Sequence, residues 1–324
     1  MKLLITGGAG YIGSHVVLAA LDRKFNVTVF DDMSTSNKAN INPKAKLVVG
    51  STKSNEDLSK LFENKTFDGV IHLAAFKAAG ESNCNPVKYA KNNIMGSLNL
   101  LNKCIKHEVK SFIFSSSAAV YGKPKYLPID ESHSLNPINY YGFTKLSFER
   151  NLRWYSKTYA LKYASLRYFN AAGYDPDKRV IGTELNPQNL IPIIMETALG
   201  KRPNVLIFGD RYDTKDGTGV RDYIHVNDLA KAHISAFEYV LNKGENLIVN
   251  LGSGKGHSVI DIIKMTRNIT SIEIPYKIKN PRQGDVSELI ANSTLAKDLI
   301  GFKQQDSCLK KIIDSTWNIY KTQS

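Results

Sequence analysis

The first 115 residues alternate between short apolar runs and longer helical patterns, and this alternation restricts the fold more than any other feature of the chain. Lys2–Thr6, Asn26–Phe30, Lys46–Val49, Gly69–Leu73 and Ser111–Ser115 read as buried strands: four or five residues each, rich in Val, Ile, Leu and Phe. Helical patterns lie between them at Ile12–Lys24, Asn55–Phe62 and Tyr89–His107, with Ser54 and Pro86 as helix starts. Strands buried on both faces and joined through helices form a parallel, doubly wound α/β sheet of the Rossmann kind. Tyr163–Tyr168 supplies a sixth strand. Beyond residue 170 the pattern loosens, and Gly, Pro, Asp and Asn gather at Gly173–Asp177, Asn186–Gln188 and Gly209–Gly219. The chain therefore divides into a dinucleotide-binding domain over 1–170 and a smaller mixed substrate-binding domain over 171–324. A segment near 225–252 returns to the first domain, because Leu247–Leu251 is strand-like.

The first strand runs straight into Thr6-Gly7-Gly8-Ala9-Gly10-Tyr11-Ile12-Gly13. Gly7 permits a tight turn, Gly10 lets a pyrophosphate approach the backbone, and Gly13 lets the following helix pack against the sheet. The N-terminus of that helix offers free N–H groups to phosphates. Asp31 ends the second strand, where a carboxylate accepts both ribose hydroxyls of NAD and repels the 2′-phosphate of NADP. No Arg or Lys follows within Asp32–Asn37. The cofactor expected is NAD.

Tyr141 and Lys145 stand four residues apart in Tyr140-Tyr141-Gly142-Phe143-Thr144-Lys145. On a helix over 139–160 the two side chains share a face. A phenol is a poor base at neutral pH, and an ammonium beside it lowers its pKa. The pair alone also fits an ordinary aromatic–lysine contact. Ser117, just past the fifth strand on the sheet edge where ligands bind, adds a group that can orient a hydroxyl.

Composition excludes other classes. No apolar stretch approaches the ~20 residues that cross a bilayer, and the opening residues leave no room for a signal peptide, so a cytoplasmic location is expected. Cys84, Cys104 and Cys308 are too few and too scattered for a disulfide framework or a zinc site, and no metal is expected. The net charge of +13 comes from scattered lysines and arginines rather than a basic block, so a solvated surface is expected and not nucleic-acid binding.

With these residues in place, the chain resembles the extended short-chain dehydrogenase/reductase family over essentially its whole length. The resemblance rests on Thr6–Gly13, Ser115–Gly122, Tyr141–Lys145, Arg167–Asn170 and the run Asp216-Gly217-Thr218-Gly219-Val220-Arg221-Asp222-Tyr223-Ile224-His225-Val226. It implies that Tyr141 is the catalytic base, that Lys145 tunes it and binds the nicotinamide ribose, and that Ser117 holds the reacting hydroxyl. It places Tyr11, Ile12, Asp31, Ser36, Ser51, Phe76, Lys77, Asn92 and Phe169 on the cofactor side. Asn170, Asn189, Leu190, Phe208, Arg221, Tyr223, Arg282, Asp285 and Leu289 go to the nucleotide-sugar side. Guanidinium forks at 221 and 282 suit a diphosphate. A homodimer through helices near 89–107 and 139–160 is implied as well.

The chain departs from the family's pattern at two positions. Ser51 stands where the family generally has an aspartate facing the adenine amine, so adenine binding there is expected to be weaker or shared. Leu289 is intermediate at the position that governs room for an N-acetyl group, which leaves N-acetylated sugars open. Relatives that dehydrate or decarboxylate carry an acidic residue just after the serine or threonine, because those reactions need a further acid or base. This chain has Ala118 and Ala119. The expectation is an NAD-dependent 4-epimerase that interconverts UDP-galactose and UDP-glucose through a transient 4-keto sugar. UDP-N-acetylhexosamines, UDP-pentoses, net dehydrogenation and an NAD-sensing regulator remain as alternatives.

Overall fold

The computed structural model describes residues 1–282 and 284–323. Its strands, in chain order, begin with β1 (Lys2–Thr6), β2 (Asn26–Asp31), β3 (Lys46–Val49), β4 (Gly69–His72), β5 (Ser111–Ser117) and β6 (Lys162–Tyr168). There follow β7 (Asn170–Ala172), β8 (Val205–Phe208), β9 (Val220–His225), β10 (Leu247–Leu251), β11 (Gly256–Ser258), β12 (Tyr276–Lys279) and β13 (Glu288–Leu289). The α-helices are α1 (Tyr11–Asp22), α2 (Asn55–Phe62), α3 (Ala79–Cys84), α4 (Pro86–Tyr89), α5 (Ser97–Lys106) and α6 (Tyr140–Thr158), then α7 (Leu190–Ala198), α8 (Val226–Lys243), α9 (Val259–Thr270), α10 (Thr294–Ile300) and α11 (Leu309–Tyr320).

Seven strands form one sheet in the order β10-β6-β5-β4-β1-β2-β3. All of its pairings are parallel. Alternation within β1 shows how the sheet is buried. Leu3 and Ile5 join a core with α1, α8 and α10 on one face, whereas Leu4 joins α2, α5 and α6 on the other. Covered faces on both sides are what parallel strands require. The predicted return of Leu247–Leu251 is seen: β10 pairs with β6 after the chain has built much of the second lobe. That lobe has its own core around Ile191, Ile207, Ile262 and Ile313. Its strands are short, and β11, β9, β13 and β7 make a small mixed sheet.

Local chemistry sets the helix ends. The Ser54 hydroxyl accepts the N–H of Asp57 at the start of α2, and Asn139 accepts that of Gly142 at the start of α6. Pro86 takes the first position of α4, where its missing N–H costs nothing. The helix expected over 89–107 differs in one respect. Ala90–Gly96 winds as a π-helix between α4 and α5. Gly96 is required there, because a Cβ would stand 2.7 Å from the Thr52 hydroxyl. Inside the sheet, Phe148 of α6 packs among the rings of His72, Phe112 and Phe114. Truncating such a side chain costs about 3–5 kcal/mol, and its packing fixes which face of α6 meets the sheet edge.

Candidate active site

The turn after β1 is built from main-chain space. Gly7 has φ +72° and a Cβ on it would lie 2.7 Å from Ala74 N, while a Cβ on Gly13 would lie 2.0 Å from the Gly7 carbonyl. Gly10 caps α1 in an extended conformation, and the first turn of α1 carries no acidic residue. Free N–H groups and the helix dipole therefore face an anion with nothing opposing them. Asp31 is buried, and its carboxylate accepts the N–H groups of Ala9 and Met33 and the Ser36 hydroxyl. It thus holds the glycine turn as well as facing the cleft. One cleft is lined by Gly7, Gly10, Asp31, Ser36, Ser51, Phe76 and Asn92. Tyr11 leaves the cleft wall to bond the Gly173 carbonyl in the second lobe, and Ile12 packs into the sheet core. Lys77 is ion-paired with Glu184 of the second lobe. Together the glycine cradle, the helix N-terminus and the Asp31 carboxylate fit a dinucleotide such as NAD.

Ser117, Tyr141 and Lys145 converge at the end of β5. Ser117 is the last residue of that strand rather than a loop residue beyond it. The preceding serines can be buried in a strand because their hydroxyls are bonded, Ser115 to His233 and Ser116 to Glu149. Ser117 Oγ accepts the N–H of Ala119 at 3.2 Å. Lys145 Nζ donates to the Ser115 carbonyl at 2.7 Å and lies 4.8 Å from the Phe114 ring centroid and 5.7 Å from that of Tyr141.

Against the expectation that Lys145 lowers it, the Tyr141 pKa is shifted upward. Burial pushes Tyr141 up to about 12, opposed by its hydrogen bond with Ser117. Burial likewise pushes Lys145 down to about 7, opposed by the charge of Glu149. Desolvation disfavours both charged forms, so at neutral pH Tyr141 is an un-ionised phenol and Lys145 sits near its midpoint.

On the other side of the cleft, Phe169 packs in one cluster with Ala118, Val120, Tyr121 and Leu289. Asn170 of β7 is paired with Tyr223 of β9, whose phenol burial also pushes up to about 12. Leu289 of β13 is in register with Arg221. Arg221 is engaged, donating to Asp285 at 2.9 Å and to the Val220 carbonyl at 2.9 Å. The Arg282 guanidinium lies 3.8 Å from the Phe208 ring centroid. Asn189 caps α7 without a side-chain bond, and Leu190 opens that helix.

Several residues that shape the site carry no expectation from sequence. Asn93 grips both main-chain groups of Phe76 at 2.9 Å and reaches Thr144 on α6; the π-turn aims it there. Asp57 accepts the N–H of Ser51 at 2.9 Å. Glu149 continues the four-residue spacing of Tyr141 and Lys145, a signal the sequence does contain. A separate cavity of about 400 Å³ between α1 and α8, lined by His15, Asp175, Asp228 and Lys231, shares no residue with the nucleotide cleft.

Comparison with known proteins follows this geometry. The model of the family described as "NAD dependent epimerase/dehydratase family" matches residues 3–252. The UDP-glucose 4-epimerase of Halalkalibacterium halodurans is 42% identical over 322 residues, 99% of this chain and 96% of that protein. The crystal structure of UDP-glucose 4-epimerase from Brucella ovis in complex with NAD superposes with a TM-score of 0.95 at 38% identity, covering 98% of both chains. The enzyme from Bifidobacterium longum in complex with NAD+ and UDP gives 0.93 at 35% identity, over 100% of this chain and 99% of that one. The glycine cradle with its buried Asp31, the serine–tyrosine–lysine group, the family match over residues 3–252 and the full-length likeness agree: the chain belongs to the NAD dependent epimerase/dehydratase family.

Proposed function

We propose that this enzyme interconverts UDP-galactose and UDP-glucose by oxidising and re-reducing C4 of the hexose, with NAD as cofactor. The observation that carries the reading is the meeting of Ser117, Tyr141 and Lys145 at the end of β5, directly followed by Ala118 and Ala119. Those alanines offer no further acid or base for elimination or decarboxylation. Gly7, Gly10 and the first turn of α1 hold the cofactor's diphosphate, and Asp31 holds its adenosine ribose. Bound there, NAD would supply reversible hydride chemistry at C4, so that the hexose would pass through a transient 4-keto sugar and be re-reduced on its opposite face.

Ser117 holds O4 by a hydrogen bond while Tyr141 takes the O4 proton and later gives it back. Starting from a pKa of about 12, Tyr141 needs a cation to become a working base, and Lys145 supplies that charge; one opposite charge within 4–6 Å shifts a pKa by about 1–3 units. Arg221 and Arg282 grip the UDP diphosphate, and Phe208, Asn189 and Leu190 seat its base. The sugar is held loosely, so that it can turn over while UDP stays anchored. Residues 1–170 carry the cofactor and 171–324 the nucleotide sugar. Val87, Met95, Phe143 and Trp154 stand exposed along the 86–106 and 140–158 helices, and a second copy of the chain covers them in a homodimer, which gel filtration checks.

The test is turnover of UDP-galactose by purified enzyme and by Tyr141→Phe. Loss of the phenol should cost about 10²–10⁴ in kcat; a variant running at the unmutated rate would overturn the assignment. The ratio of UDP-galactose to UDP-N-acetylgalactosamine turnover then decides whether Leu289 leaves room for an N-acetyl group.

A further inference from the structure

We infer that Glu149 is a positioning residue of the proton machinery: its carboxylate, one helical turn below Lys145, favours the charged form of that lysine and locks together α6, which carries Tyr141 and Lys145, and β5, which carries Ser117. The inference rests on the reading just proposed and adds a residue that touches neither cofactor nor substrate.

Tyr141, Lys145 and Glu149 recur every four residues along α6 and so share one face. Glu149 is buried at 4% exposure. Its oxygens are fully engaged: Arg167 donates Nε to Oε1 at 3.0 Å and Nη2 to Oε2 at 2.6 Å, and the Ser116 hydroxyl donates to Oε1 at 2.5 Å. Ser116 lies between Ser115, whose carbonyl receives Lys145, and Ser117. The network continues from Arg167 Nη1 to the Tyr121 hydroxyl at 3.1 Å, and from that hydroxyl to Asn250 at 2.7 Å. One carboxylate thereby fastens α6 to β5 and β6, and through Tyr121 and Asn250 to the turn after Ser117 and to β10.

Stability alone does not account for this arrangement. A buried ion pair is often no better than an apolar pair of the same volume. The charges around Lys145 show what the carboxylate adds. On α6 it faces Tyr141 and Glu149. From β4 comes His72, whose ring is bonded to Thr6 and Ser97 and held neutral by burial. From β5 come the Phe114 ring and the Ser115 carbonyl. β6 brings Arg167 and Tyr168, and α8 brings His233, which is bonded to Ser115. Glu149 is the carboxylate in this set, and its charge is what opposes the burial that drives Lys145 toward neutrality. A neutral Lys145 could neither favour the Tyr141 phenolate nor be retained beside it by charge.

The test follows the titration of Lys145 directly, by NMR of enzyme carrying ¹³C at lysine Cε, with the resonance assigned through Lys145→Met. In Glu149→Gln the Lys145 midpoint should fall by about one pH unit, the low end of what one nearby charge does, and the alkaline limb of kcat should move down with it while KM for the UDP-sugar stays within about twofold. Glu149→Asp keeps the charge and should bring the midpoint back to its unmutated position. Since Glu149→Gln leaves Arg167 unpaired, the double variant Glu149→Gln/Arg167→Met removes both charges and guards against misfolding. The midpoint should stay low in it if Glu149 acts by charge, and should return to the unmutated value if the ion pair serves packing only. A Lys145 midpoint unmoved in the folded single or double variant would overturn the inference. The NMR readout does not depend on which sugar is turned over, so inactivity toward UDP-galactose would sink the proposed function and leave this measurement decisive.

Discussion

At the glycine turn, the groups offered to a ligand are main-chain N–H groups, placed by residues that have no side chain to move. Across the cleft, the groups offered are Arg221, Arg282 and Phe208, which already hold partners or one another. The first region is finished before a ligand arrives, because a parallel sheet buried on both faces fixes β1 and α1. In the proposed reading the second region must exchange partners, because the Arg221 guanidinium that would take a diphosphate is held by Asp285. Rigid backbone suits a cofactor that is retained through every cycle, and exchangeable side chains suit a substrate that must leave. Between the two lies a seam of polar contacts, including Tyr11 on Gly173, Lys77 on Glu184, Arg179 on Asp22 and the His15 ring, whose Nε2 accepts the N–H of Asp175 at 3.2 Å.

Acid should break both regions together, and by the largest amount. Burial lowers His15, His225 and His233 to about 4 and His72 to about 3. Each folded-state pKa lies below the unfolded value of about 6.5. The stability they contribute is therefore complete above pH 6.5 and is lost as pH falls toward 4. At pH 5.5 each costs on the order of 1 kcal/mol. His72 and His233 sit under the sheet, while His15 and His225 sit at the seam. Thermal unfolding followed by circular dichroism should lose many degrees between pH 7 and 5.5; a flat profile would mean that these rings are not held neutral.

Gly13→Ala should separate the regions. Its Cβ would meet the Gly7 carbonyl at 2.0 Å, and backbone on both sides must move, at a cost of about 3 kcal/mol. NAD binding by fluorescence titration should weaken by two orders of magnitude or more, while UDP binding by calorimetry changes little. Arg221→Ala should do the reverse. Truncating a half-buried, hydrogen-bonded cation that meets a charged ligand costs about 2 kcal/mol, so KM for UDP-galactose should rise tens-fold with the NAD affinity unchanged. If either variant weakened both ligands equally, the division between the regions would fail.

The smallest effect is expected at Ser51. Its N–H is taken by Asp57 and its hydroxyl receives a long bond from Lys53. Ser51→Ala should lower NAD affinity by only a few-fold, about 0.5–1 kcal/mol.

The same contrast explains what could be read from sequence. β1, β2 and β4 to β6 are legible because strands buried in the sheet are rich in apolar residues, and the glycine turn because its geometry permits no other residue; β3, expected to be buried, is instead an edge strand with Lys46 and Val49 exposed. Tyr141 and Lys145 were legible as a pair through helical spacing. The π-turn at Ala90–Gly96 was not, because nothing in local composition distinguishes it from an α-helix; the close approach of Gly96 to Thr52 joins residues some 44 apart in sequence. β7, β11 and β13 are two or three residues long, too short to carry a period. Ser115-Ser116-Ser117 reads as polar loop until His233 and Glu149, distant in sequence, are seen to satisfy the hydroxyls. The raised pKa of Tyr141 was likewise hidden, since spacing reports neighbours but not the loss of water around them.

The placement of β10 also bears on how the chain is made. The edge of β6 is completed by a strand that emerges roughly 80 residues later. At about 5–20 residues per second of synthesis, the ribosome has delivered every other strand of the sheet some 4–16 s before the last one. For that interval β6, the seven-residue strand Lys162–Tyr168, has an unpaired edge of the kind that recruits neighbouring chains. Translation speed across residues 169–247 therefore sets how long that edge stays open.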